Sequence, residues 1–426
     1  MSEWKEVRLG DIVTVKSGYA YKGKYISNKG KNILLGMGCV SYNDKFLYSG
    51  ARAYDEDCDE RYCAKAGDIV LATRQQSDSL PILAMPAIIP DSFFDKKIIV
   101  GTNLYLIKND SDIDNHFLFW LLKTPNYVNY ISSVKTGTTV RMVTKKDVEN
   151  YTFNCPSKEE RDTISNILWG IDAKIETNNK LNEKLEEMAQ AIFKSWFVDF
   201  DPFKDKPFHE TELGMIPEGW EVSTFSSIIE KLISGDWGKE TPTGNYVHKV
   251  ACIRGCDFEN IKNGLRGKTP ERFILERNFA LKQPKPNDIV VEMSGGTATV
   301  STGRICYITK ELLDQYEGDI VCTNFCKIVR PLKGWSQYLY YYWQYKYDKK
   351  VMFCYENGTS GIKNFAINDF IDIESLLIPP KDELIKFNSI IDNIRVKIQM
   401  NGVENTHLAS LRDTLLPRLR SGELIV

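Results

Sequence analysis

Apolar residues recur every three or four positions through residues 156–200: Ile164, Leu168, Ile171 and Ile175, then Leu185, Met188, Ile192 and Trp196. That period predicts one long amphipathic helix with a single apolar stripe. The stripe covers 33 residues from Ile164 to Trp196, which at ~1.5 Å per residue is roughly 50 Å of rod. It needs a partner of similar length, and the chain supplies one. Shifted by 223 positions, the stripe falls on Phe387, Ile391, Ile394, Ile398, Leu408, Leu411, Leu415 and Leu419. Pro156 falls on Pro379, Asn178 on Asn401 and Asn182 on Asn405. The pattern predicts two like helices packed as a coiled-coil-like antiparallel pair. Its seam would be Ile164, Leu168, Ile171, Ile175, Asn178, Leu185, Met188 and Ile192 against Phe387, Ile391, Ile394, Ile398, Asn401, Leu408, Leu411 and Leu415. Asparagine in a seam costs stability but fixes register. Pro417 sits in the last turn and predicts that the second helix ends or kinks there.

The segments ahead of the two helices repeat as well. Trp4-Lys5-Glu6-Val7 matches Trp220-Glu221-Val222, and Gly67-Asp68-Ile69-Val70 matches Asn287-Asp288-Ile289-Val290. Thr102-Asn103 matches Thr323-Asn324, and Gly137-Thr138 matches Gly358-Thr359. Units this long are duplicated domains rather than solenoid repeats. The expected fold class is α/β (mixed α+β), with an internal pseudo-twofold duplication. The parse is a globular unit at 1–155, a long helix at 156–200, a polar linker at 201–214, a second globular unit at 215–378 and a second long helix at 379–426.

Within the first unit, buried strands are expected at 32–37, 66–72 and 98–107, and a helix at 116–122 that Pro125 closes or kinks. Residues 74–79 read as a polar loop. In the second unit, strands are expected at 288–293, 304–309 and 321–329. Asn263-Gly264 signals a hairpin turn. The tyrosine-rich stretch 338–347 reads as a helix on a sheet with its tyrosine tips in water.

Composition is that of a globular protein: 426 residues, 42% hydrophobic and 26% charged, enough for two or three ordinary cores. The start has no leader pattern and no apolar run approaches a membrane span, so a cytoplasmic protein is expected. The ten cysteines include no CxxC, and the four histidines are scattered. A zinc site is therefore not expected, and free thiols fit a reducing compartment. Net charge is −2 overall but is unevenly spread: +2 over 1–155, −5 over 156–214, zero over 215–378 and +1 over 379–426. The acid lies on the first helix and linker, away from the globular parts.

Few segments carry chemistry. Gly18-x4-Gly23-Lys24 approaches a phosphate-binding loop, but Tyr25 replaces the magnesium-binding Ser or Thr. The stretch 135–146 packs four cations around Gly137, Thr138 and Thr139 with no acid, the best local anion-binding candidate; it equally fits a solvated loop. Residues 357–364 repeat it in the second unit. Phosphate contacts need cations or Gly/Thr donors, and base contacts need Arg, Lys, Asn or Gln on exposed loops. On polar segments of this kind, the residues suited to phosphate or base contact are Arg74, Gln75, Gln76, Lys135, Thr138, Thr139 and Arg141 in the first unit. In the second they are Ser294, Thr359, Ser360 and Lys363. No catalytic or metal site is expected.

Two variable globular halves, each closed by a long helix, resemble the specificity (S) subunit of type I restriction-modification enzymes. The likeness rests on Gly214-Met215-Ile216-Pro217-Glu218-Gly219-Trp220, on the helix endings 188–197 and 415–424, and on the repeated 67–70 and 137–139 segments. The resemblance implies two target-recognition domains, each reading one half of a split double-stranded DNA site. The helices would act as spacer and as dock for two modification (M) subunits, with restriction (R) subunits further out. It implies no cofactor on this chain, with S-adenosylmethionine, ATP and Mg on the partner subunits. A structural adaptor that bridges proteins through its helices is the alternative. A self-sufficient methyltransferase is disfavoured, because no Asp/Asn-Pro-Pro-Tyr/Phe motif is present: Asp201-Pro202-Phe203 lacks the second proline.

Overall fold

A computed structural model of the chain describes residues 4–76, 81–93, 95–297, 299–358 and 362–421, with side chains up to Leu415. The chain forms two compact units, Met1–Ala173 with Ala409–Val426, and Lys174–Leu408. Each contains a globular part and a stretch of both long helices.

In the first unit, Val13–Ser17, Leu104–Asn109, Ile69–Ala72 and Pro86–Ile88 form an antiparallel sheet in that order. A second, five-stranded sheet runs Ile26–Ser27, Ala51–Tyr54, Asn32–Leu35, Ile98–Val100, Cys63–Ala64. Its one parallel pair is Ile98–Val100 beside Asn32–Leu35. Every residue of Ile69–Ala72 and Asn32–Leu35 is buried, which is why these strands read as continuous rather than alternating apolar runs. The second unit repeats the plan. Ile229–Ser234, Cys326–Pro331, Ile289–Glu292 and Ile305–Tyr307 form the first sheet. Glu271–Leu275, Tyr246–Ile253 and Ile320–Cys322 form the second, again with one parallel pair. In each unit an outer strand pair closes the globular part just before the long helix: Lys5–Arg8 with Thr152–Cys155, and Glu221–Thr224 with Ser375–Ile378. The duplication read from sequence is therefore a duplication of topology.

The long helices span Lys158–Phe197 and Lys381–Ser421. Ser157 starts the first with a capping box: its hydroxyl accepts from the Glu160 amide and the Glu160 carboxylate accepts from the Ser157 amide. Within the first unit, Ile164, Leu168 and Ile171 are buried, and the Asp172 carboxylate accepts from Arg412 at 2.9 Å. Within the second, the helices run antiparallel. Phe197 packs on Phe387, Asn401 donates to Asn182 at 2.8 Å and Asn178 donates to Asn405 at 2.9 Å. All four asparagines are at most 5% exposed. The pairs that touch are thus crosswise to the pairs that the 223-residue shift aligns, as an antiparallel twofold requires.

Several expectations are corrected. Met188 and Leu411 are not seam residues; they are 46% and 49% exposed. The seam advances by one position past Leu185, to the buried Ala189, Phe193 and Phe197. The aromatic rings prevail because they have a partner surface: Phe193 meets Tyr338, Tyr341 and Tyr342, and large rings dominate packing energy. Ile175 and Leu408 are half-buried. Pro417 does not end the second helix, which continues to Ser421. Pro125 opens a second helix, Pro125–Val134, instead of only closing the first, since proline suits a helix's first turn.

Asn263-Gly264 is not a hairpin but the end of the helix Phe258–Lys262. It packs so tightly on the second long helix that a Cβ on Gly402 would lie 2.3 Å from the Gly264 oxygen. Four tyrosines of Ser336–Asp348, at 338, 340, 341 and 342, are buried rather than tipped into water. Tyr338, Tyr340 and Tyr341 are at most 1% exposed, and the Tyr338 and Tyr341 hydroxyls donate to the Leu377 carbonyl and the Glu186 carboxylate.

Candidate nucleic-acid interface

In the first unit, two of the nominated segments meet. Arg74–Gln75 is a short strand, not a loop, and pairs antiparallel with Arg141–Met142. Gln75 stands opposite Arg141 and Arg74 opposite Met142. Thr136 then pairs with Met142 from the other side, exchanging both backbone hydrogen bonds at 2.9 Å. Gly137 has φ +90°, and a Cβ there would meet the Val140 oxygen at 2.1 Å, so only glycine closes this loop. The Arg141 guanidinium donates to the Gly137 carbonyl at 2.5 Å and braces the loop from within. Below it, Val143 is buried, and Thr144 and Asp147 form a capping box that starts Lys145–Glu149. Thr138, Thr139 and Gln76 are exposed, while Lys135 is half-buried. Gln75 is turned inward: it is 6% exposed and accepts from the Leu83 amide.

The second unit builds the same object with one more strand. Ser294–Gly295, Lys363–Phe365 and Glu356–Asn357 form a three-stranded ladder. Ser294 stands opposite Asn364, which stands opposite Asn357. Gly358, φ +141°, occupies the place of Gly137; a Cβ there would lie 2.9 Å from the Ile362 oxygen. Thr359 and Ser360 lie outside the described residues. Lys363 belongs to the inward face: it donates to Glu356 at 2.6 Å. The Glu356 carboxyl is pushed up by burial, but Lys363 and the amide and hydroxyl of Thr302 outweigh this and hold it below the ordinary carboxylate value. Phe365 is buried beside Trp343 and Phe370.

Because residues opposite one another in an antiparallel pair share a face, each ladder presents one outward row. In the first unit it is Arg74, Met142 and Thr136; in the second it is Ser294, Asn364 and Asn357. Arg74, Met142, Thr136, Asn364 and Asn357 are exposed and Ser294 is half-buried. Met142, Thr136, Asn357 and Asn364 were missed from sequence. The repeat offset, 220 to 222 along these rows, contained the signal, but only strand pairing shows which residues line up.

Among the described residues no group of three His, Cys, Asp or Glu side chains is placed to hold a metal ion. None of the described helices is long and apolar enough to cross a membrane.

Residues 1–187 match the family model described as the type I restriction modification DNA specificity domain. Over 437 residues the chain is 25% identical to the type I restriction enzyme MjaIX specificity subunit of Methanocaldococcus jannaschii, covering all of this chain and 94% of that one. It is also 25% identical over 491 residues to the HindI specificity subunit of Haemophilus influenzae, with both chains fully covered. The crystal structure of the S subunit of a type I restriction-modification system from M. genitalium shares the fold. The TM-score is 0.56 at 15% identity, over 98% of this chain and 96% of that one. The chain is thus similar to type I restriction-modification specificity subunits, over its first 187 residues to their domain model and over its full length to two of them.

Proposed function

We propose that each globular unit reads one half of a split double-stranded DNA target through its outward ladder and Gly-Thr loop. The observation behind this reading is the repetition itself: two units of one topology each carry a glycine-closed ladder at the same place. The exposed Thr138 and Thr139 loop beside Lys135 supplies the donors that phosphates need, and the ladder row supplies side chains for base edges. The long helices are the spacer and the docking surface for two M subunits, with R subunits joining the assembly. Exposed Leu181 and Met188 on one helix, and Val396 and Met400 on the other, offer apolar area for that docking. The methyl donor S-adenosylmethionine, and ATP with Mg, belong to the partner subunits. This chain itself performs no catalysis, and the complex works in the cytoplasm.

The test is to purify the chain with its M subunit and map methylated adenines genome-wide. A split motif with a fixed gap is expected, and Arg141→Ala should weaken or relax one half of it only. Methylation that does not depend on this chain would support the adaptor reading instead. An unchanged motif in Arg141→Ala would remove that residue from the interface.

A further inference from the structure

We infer that the two outward rows are the specificity-determining positions, and that they read different bases: Arg74 a guanine in one half-site and Asn364 an adenine in the other. This rests on the DNA-reading function proposed above and goes beyond it by naming positions and their chemistry.

The rows occupy equivalent places, yet their side chains differ. The first unit offers a guanidinium, a thioether and a hydroxyl; the second offers a hydroxyl and two amides. The inward residues of the same ladders are committed elsewhere. Gln75 is buried against the Leu83 amide, Lys363 is paired with Glu356, and Phe365 is in the core. The outward rows, by contrast, face away from these core contacts.

A guanidinium matches the two acceptors on guanine's major-groove edge, and a carboxamide matches the donor and acceptor of adenine. Asn364 is also oriented. The Ser294 hydroxyl donates to Asn364 Oδ1 at 2.5 Å, so the amide oxygen turns toward Ser294 and its NH2 group away from it. A side chain held this way needs no reorganisation when a base arrives. Asn357, directly opposite, extends the row by a second amide.

The experiment compares the methylation motif of the complex of this chain and its M subunit with those of complexes carrying Asn364→Asp, Arg74→Gln or Lys333→Ala. Lys333 is exposed and lies off both ladders. Asn364→Asp keeps size and shape but loses the NH2 donor. It should cost an adenine in one half-site on the order of 5- to 150-fold in preference, leaving the other half intact. Arg74→Gln should relax a guanine in the opposite half, and Lys333→Ala should change nothing. All three variants should co-purify with the M subunit and melt like the parent. Uniform loss on all sequences with an unaltered motif would mark phosphate contacts and overturn the inference, as would no change at all. In either case the wild-type split motif would still stand for the broader reading. A wild-type complex with no split motif would overturn both.

Discussion

Single residues explain where the repeat tolerates change. Gly67 and Asn287 are aligned by the repeat but differ in type. Both sit at positive φ, +82° and 76°, where glycine and asparagine are the residues that pay least. The next residue is Asp in both units and does the same work. Asp68 accepts from the Lys65 amide and Lys108; Asp288 accepts from the Lys285 amide and, through both oxygens, from Arg330. The Asp288 side chain is 2% exposed against 18% for Asp68. Asp288→Ala should therefore cost about 3–5 kcal/mol by leaving Arg330 without its partner. Asp68→Ala should cost roughly 1–3 kcal/mol, and urea titration of both variants measures the difference. Glu356 gives a pH dependence. Its folded-state pKa lies below the ordinary value, so its stabilisation is present above that ordinary value and fades as pH falls through the folded one. Glu356→Gln should be less stable than the parent at pH 7, with the gap narrowing below about pH 4. A gap independent of pH would show that the carboxylate charge is not what stabilises the ladder.

At the level of elements, the long helices were legible because a 3.6-residue period over ten turns has few other readings. Ile164, Leu168, Phe387, Ile391, Ile394 and Ile398 are buried as the stripe predicts. The phase past Leu185 was not legible. The choice between Met188 and Ala189 depends on which face meets the tyrosine helix, a tertiary fact that no local period contains. The structure thus predicts an inversion of ordinary expectations. Ala189→Leu should destabilise by about 1–3 kcal/mol through overpacking, while Met188→Ser should stay within about 0.5 kcal/mol, as exposed substitutions do. Thermal melts of the two variants decide the matter; equal losses would contradict the seam described. The short strands of the ladders were hidden for another reason. Two-residue strands such as Arg74–Gln75 carry no alternation to detect, and Arg74–Gln75 and Ser294–Gly295 find their partners far along the chain, at Arg141–Met142 and Lys363–Asn364. Candidate segments were found by composition, but Gln75 and Lys363 were indistinguishable from Arg74 and Asn364 until the pairing showed which face each occupies.

For the whole molecule, each unit has the same topology and carries its own ladder, so under the proposed function each would read one part of a two-part sequence. The division of labour is modular: each unit closes its own outer strand pair before its long helix begins, and each core is completed by helix residues, Ile164 and Leu168 in the first and Phe193, Phe197 and Phe387 in the second. Residues that build a unit's ladder come from that unit alone. The most direct test exchanges residues 215–378 for the corresponding segment of a relative with a different target and maps methylation by the complex with its M subunit. One half of the motif should change to the donor's while the other half and the gap between them stay as they were. A change in both halves, or an altered gap with both halves retained, would contradict this division of labour.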